Sequence, residues 1–154
     1  MVATTDPDPK ALACYGVCFP TTEEVWLRFL DGRPVSAVTT VFLDWCAQAA
    51  AARGMRVLAL VWDNASWHRS KQVRIWVRAH NRQVKASGQG VRLLICQLPI
   101  KSPWRNPIEP KWAHTKRRMI EPDRLLSAQE LAERVCGALN CIYHEHIPIP
   151  EQVA

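Results

Sequence analysis

The sequence predicts an α/β fold in which a central mixed sheet is flanked by helices. Three observations carry this. Two short, strongly apolar runs, one of them VLALV at residues 57–61, have the length and composition of strands inside a sheet. An amphipathic stretch of helical period lies between them, giving a strand–helix–strand order. Ahead of them, two segments rich in aromatic and β-branched residues, joined by a short turn, form an antiparallel hairpin.

Residues 1–10, MVATTDPDPK, carry two Asp, two Pro and no apolar run. They are expected to be a disordered lead-in and not a signal peptide, which points to the cytoplasm. Residues 11–19 form the first strand and 20–24 the turn. In the second strand, 25–30, Val25, Leu27 and Phe29 alternate with Trp26 and Arg28. Asp31-Gly32-Arg33-Pro34 is a turn, and Ser36 is expected to cap a helix. Val38, Val41, Phe42, Trp45 and Ala49 recur there at helical spacing, and Gly54 fits the position just past its end.

Residues 55–62 are expected to be a strand buried on both faces, ending in Asp63-Asn64. A helix over 68–87 sets Val73, Trp76, Val77, His80 and Val84 against an opposite basic face of Lys71, Arg74, Arg78, Arg82 and Lys85. Gly88 and Gly90 end it, and 91–98 is the next strand. The 101–110 segment is Pro-rich. Asn106 is expected to cap a helix with Pro107 at its first position, running to about Ile120. Pro110 falls in the first turn, where the missing N–H costs least. Ser127-x-x-Glu130 is a capping box opening a last helix with Leu131, Val135, Leu139 and Ile142 as its apolar positions. The expected organisation is one domain over 11–146, without repeat or linker, and a Pro-broken tail over 147–154.

The 154 residues carry 20 Lys and Arg against 14 Asp and Glu, a net +6. Residues 64–120 hold 13 of the basic residues and one acid, Glu109, a net +12; the other 97 residues carry −6. Such a basic stripe is the electrostatic footprint of a phosphate backbone, although a solvated Arg-rich helix has the same composition. No apolar run reaches 18 residues, so no membrane helix is expected. The six cysteines are expected as reduced thiols in a core.

Functional side chains gather at the carboxyl ends of strands in such folds, and Asp63 ends the most apolar strand. Asp-Asn also makes ordinary turns. Glu109 stands near a helix start, where the dipole favours an anion. Two carboxylates brought together on a basic surface repel unless a cation lies between them. Hard oxygen donors and a polyanionic substrate suit Mg²⁺ or Mn²⁺. Such an ion polarises a scissile phosphate and deprotonates a water or a DNA 3′-hydroxyl, while Lys and Arg hold the backbone.

Leu60-Val-Trp-Asp63-Asn-Ala-Ser-Trp-His68-Arg-Ser70 resembles the second-aspartate motif of the mariner superfamily of DDE transposases, in its bacterial insertion-sequence branch. Lys101-Ser-Pro-Trp-Arg-Asn106-Pro-Ile-Glu109-Pro-Lys-Trp112 resembles that branch's third-acid motif, 45 residues lying between the two acids. The resemblance runs from about Lys10 to Ile142. It implies a ribonuclease-H-like fold and a cut-and-paste DNA reaction. Asp63 and Glu109 would be catalytic residues and ligands of Mg²⁺ or Mn²⁺. Arg69, Lys71, Lys101, Trp104, Arg105, Lys111, Lys116 and Arg117 would face DNA, with Asn64, His68 and Asn106 in support.

The family's first aspartate lies on a strand well upstream of the hairpin, and no acid here matches it. Asp6 and Asp8 sit beside prolines just ahead of the hairpin, Asp31 in a turn and Asp44 in a helix. The resemblance therefore implies an N-terminally truncated catalytic domain, also without the family's helix-turn-helix region. It would be a truncated copy or the second product of a split frame, partnered by an upstream transposase polypeptide or acting as a homodimer. Its place would be the bacterial cytoplasm, on the nucleoid when bound to DNA.

Two alternatives come from other classes. One is a non-catalytic DNA-binding module. The other is a zinc-stabilised interaction domain built on Cys14-x3-Cys18 and Cys136-x4-Cys141 with His144 and His146. Against zinc, Cys14 and Cys18 share one strand face as core residues do, and Cys136 and Cys141, five apart on a helix, would not stack. Ser66, His68, Ser70 and Asp63 are too close in sequence to converge as a hydrolase triad.

Overall fold

The computed structural model describes residues 12–100, 105–119 and 126–148. The lead-in, Lys101, Trp104, the expected helix end at Ile120 and the tail from 149 lie outside the described residues. The element order is β1 (Ala13–Cys18), β2 (Val25–Leu30), α1 (Ser36–Ala52), β3 (Val57–Trp62), α2 (Lys71–Ser87), β4 (Arg92–Gln97), α3 (Ile108–Arg118) and α4 (Ala128–Leu139). The α/β class is as expected, and its antiparallel and parallel components are two separate two-stranded sheets. The chain divides into two compact units: Met1–Arg33 with Pro107–Ile149, and Pro34–Asn106 with Pro150–Ala154.

The first unit is built on the β1–β2 hairpin, with Ala13 opposite Leu30 and Cys18 opposite Val25. Val25, Leu27 and Phe29 share one face of β2 and pack with Ala132, Cys136 and Leu139 of α4. Trp26, on the other face, is also buried, against Phe19 at 4.6 Å, and its Nε1–H donates to Glu24 Oε1 at 2.9 Å. α3 approaches β1 at Gly16, where a Cβ would stand 2.9 Å from both Ile108 Cδ1 and Trp112 Cζ2. Glycine is what permits that approach.

The capping box of α4 is present: Glu130 N–H donates to Ser127 Oγ at 3.2 Å, and Ser127 N–H to Glu130 Oε2 at 3.0 Å. Asn140, at φ 51°, ends the helix earlier than expected, and Ile142 lies beyond it, 73% exposed, instead of on its apolar face. Ile147 is fully buried and bridges Leu30 in parallel, extending the hairpin's edge.

In the second unit α1 starts from Val35, in extended geometry and without a side-chain cap; Ser36, the expected cap, is already helical. The buried stripe is Val38, Phe42, Leu43, Cys46, Ala47 and Ala50, while Val41 is exposed. This is a rotation from the expected stripe, because small Ala and Cys side chains turn inward. Gly54, at φ 74°, ends the helix as expected.

β3 and β4 pair in parallel, Val57 beside Arg92 through Trp62 beside Gln97. The expectation that β3 is buried on both faces is wrong. Leu58 and Leu60 are buried, whereas Val57 and Val61 are 48% and 54% exposed. Only the face shared with Trp62, beside which Val73 and Val77 of α2 lie, is covered. α2 begins at Lys71 and not at His68, because Ser70 caps it by accepting from Val73 N–H at 3.2 Å. Its Asn81 closes the outer edge of β4, donating to Leu93 O and accepting from Leu93 N–H, both at 2.8 Å. Unpaired strand edges are sites of aggregation, and this clamp occupies one.

No helix among the described residues is long and apolar enough to cross a membrane. The cysteines are free thiols, and Cys96 is exposed, unlike the expected core placement.

Candidate functional site

β3 delivers Asp63 to its carboxyl end, and the loop after it is tightly tied. Asp63 Oδ1 accepts from Ala65 N–H at 2.9 Å, an Asx turn. Asn64 Nδ2–H donates to Leu98 O at 2.7 Å, linking this loop to the end of β4. His68 Nδ1 lies 2.9 Å from the same Asp63 Oδ1. The imidazole is stacked on Trp62, with centroids 4.9 Å apart and planes 9° from parallel, and meets Trp67 edge-on at 6.0 Å. Burial pushes the His68 pKa down, with the Asp63 carboxylate opposing it. In the neutral ring the Nδ1–H tautomer is the one that donates to Asp63. The Asp63 side chain is 47% exposed, and its Oδ2 has no hydrogen-bond partner among the described residues. One carboxylate oxygen is therefore fixed and the other is open to a ligand.

Glu109 lies in the other compact unit, exposed, in the first turn of α3. Its neighbour Ile108 is buried against Gly16, which fixes the helix register and leaves Glu109 in solvent. Asn106 does not cap this helix. Pro107 holds the N-cap position, already in helical geometry at φ −61° and ψ −18°, so no side chain bonds the first turn.

Of the residues expected to face DNA, Arg69, Lys71, Arg105, Lys116 and Arg117 are exposed. Lys111 is half-buried and lines a cleft with Glu23 and Glu24. Lys101 and Trp104 lie outside the described residues. Trp112, at the end of the same motif, packs against the core of the first unit.

Contrary to the helical-spacing argument, Cys136 and Cys141 do meet. The helix has ended between them, Cys141 N–H donates to Cys136 O at 3.0 Å, and their thiols are hydrogen-bonded. Among the described residues no group of three or more His, Cys, Asp and Glu side chains is placed to hold a metal ion.

Sequence reasoning assigned Trp62 to the core. The structure makes it the platform for His68 and leaves its buried Nε1–H without a hydrogen-bond partner among the described residues. It also missed a pocket that Trp62 and His68 share with Arg74 and Arg78. The visible signal was an arginine pair four residues apart, flanking Val77 of the apolar stripe.

No curated protein and no solved structure matches the chain. Residues 22–132 do match the family described as DDE superfamily endonuclease, a span that takes in both Asp63 and Glu109. That span is well over half of the sequence, and the chain belongs to the DDE superfamily of endonucleases.

Proposed function

We propose that this chain carries the second-aspartate and third-acid motifs of a transposase catalytic domain of the mariner superfamily's bacterial insertion-sequence branch. It cleaves and joins DNA strands with Mg²⁺ or Mn²⁺ held by Asp63 and Glu109. The observation that carries this reading is the state of Asp63. In a chain of this endonuclease family, its carboxylate sits at a strand's carboxyl end with Oδ1 held twice and Oδ2 unpartnered among the described residues. Hard, half-exposed carboxylate oxygens suit these ions. The ion, when bound, neutralises charge at a scissile phosphate and activates a water or 3′-hydroxyl.

The chain's own residues do the rest. His68 and the Ala65 N–H orient Asp63. Asn64 anchors the loop that carries it. Exposed Arg69, Lys71, Arg105, Lys116 and Arg117 hold phosphates. The acid that no residue of this chain matches, the family's first aspartate, is supplied by an upstream transposase polypeptide. β1 and β3 are each hydrogen-bonded along one edge only among the described residues, so each can accept a further strand. The reaction takes place on DNA in the bacterial cytoplasm.

A second reading, a non-catalytic DNA-binding module, is favoured by the exposed, acid-free basic face of α2. Plasmid nicking separates the two. The chain mixed with the polypeptide encoded upstream is expected to nick DNA with Mg²⁺, and Asp63→Ala is expected to abolish nicking. If wild type and variant are both inert yet both bind DNA in a salt-sensitive way, the binding module replaces the nuclease.

A further inference from the structure

Behind the Asp63 loop, wholly within the second unit, lies a pocket of about 420 Å³. That is within the range of about 300–1,000 Å³ in which small-molecule sites fall. Trp62, His68, Ile95 and Val77 supply aromatic and apolar wall, Gln97 a polar edge, and Arg74 and Arg78 two cations.

We propose that this pocket receives one unstacked nucleotide of a DNA strand, its base against the Trp62–His68 wall and its phosphate at Arg74 and Arg78. The proposal rests on the reading that the chain acts on DNA, but not on metal chemistry at Asp63.

Each part of a nucleotide finds its counterpart. Every base has a π face, and aromatic walls bind bases by stacking without regard to sequence. The Gln97 amide offers both a donor and an acceptor to a base edge.

The phosphate end is equally specified. Arg74 and Arg78 are exposed, lie one turn apart on α2 and have no ion-pair partner among the described residues. Residues 34–106 carry 11 Lys and Arg against two acids, Asp44 and Asp63, so little in this stretch neutralises the pair. An acidic peptide would satisfy the arginines but leave a flat aromatic wall unused.

The test uses the whole chain and two probes of equal length: a single-stranded oligonucleotide, and a deoxyribose-phosphate strand without bases. Fluorescence anisotropy at fixed salt reads the affinities. Wild type is expected to prefer the intact strand by about tenfold, the weight of one stacked base. Val77→Phe, which fills the pocket, is expected to erase that preference and leave binding of the baseless strand unchanged.

The exposed pair R74A/R78A keeps the test independent of how Val77→Phe folds. It is expected to weaken both probes more than R82A/K85A, which neutralises the same charge elsewhere on the helix. Three results overturn the pocket: no preference in wild type, a preference kept by a folded Val77→Phe, or R74A/R78A no weaker than R82A/K85A. Binding of neither probe overturns it together with the DNA reading beneath it.

Discussion

The imidazole of His68 lies flat on the indole of Trp62 while its Nδ1 reaches Asp63 Oδ1 at 2.9 Å, so an aromatic stack fixes the orientation of a carboxylate. The ring's position is set by stacking and its tautomer by the hydrogen bond. The carboxylate consequently presents one free oxygen from a loop that the Asx turn and Asn64 already tie down.

His68→Ala should therefore weaken the metal response more than the fold. Loss of a group that orients a ligand typically costs about 10–100-fold in metal affinity or activity. Nicking by the complemented chain should fall within that range, and the Mg²⁺ concentration for half-maximal rate should rise. His68→Asn, whose amide can still donate to Asp63, should recover part of the loss. Equal Mg²⁺ dependence in wild type and His68→Ala would show that the histidine does not position Asp63.

Gly16→Val should destabilise the first unit. Its Cβ would meet Ile108 Cδ1 and Trp112 Cζ2 at 2.9 Å, inside ordinary contact, so α3 has to move away from β1. Overpacking of this kind costs about 1–3 kcal/mol. Urea unfolding followed by tryptophan fluorescence should show a lower midpoint, and Gly16→Ala a smaller drop.

The thiols give a pH dependence. Burial pushes the Cys14 thiol up to about 12, and burial together with the neighbouring Cys136 and Cys14 pushes Cys141 to about 12, from an ordinary value of 9.0. A raised thiol pKa means the folded state favours the protonated form. Its contribution to stability is complete below pH 9 and is lost as pH rises toward 12. Urea midpoints should fall between pH 8 and 10.5, less so in a Cys14→Ala/Cys141→Ala double variant. Exposed Cys96 should be the first thiol modified by a thiol reagent at pH 8.

Ser127→Ala removes the hydroxyl half of the capping box that starts α4. A lost N-cap of this kind costs about 1 kcal/mol. The helix carries Ala132, Cys136 and Leu139 into the core of the first unit, so the loss should appear in global unfolding and not only in local fraying. Chemical denaturation with a circular-dichroism readout checks it.

Where local chemistry decides, the sequence was legible. β2 runs over residues 25–30 as its alternation predicts, Ser127 and Glu130 form their box, and Gly54 and Gly88 take positive φ at helix ends. His68 reaches Asp63 across only five residues of loop, so that contact too is a local one. Other features depend on partners distant in sequence. A run such as VLALV has no alternation to reveal that one face of β3 is exposed. Small inward residues on α1 carry too weak a signal to place its stripe. The Asn81 clamp on Leu93 and the close approach of α3 at Gly16 exist only once their elements are packed.

Manganese binding tests the central claim most directly. Electron paramagnetic resonance of Mn²⁺ titrated into the complemented chain with DNA should show one bound ion per chain whose occupancy Asp63→Ala and Glu109→Ala each abolish, with both variants folded. If either single substitution leaves that occupancy unchanged, the two carboxylates do not share an ion and the proposed nuclease site is wrong.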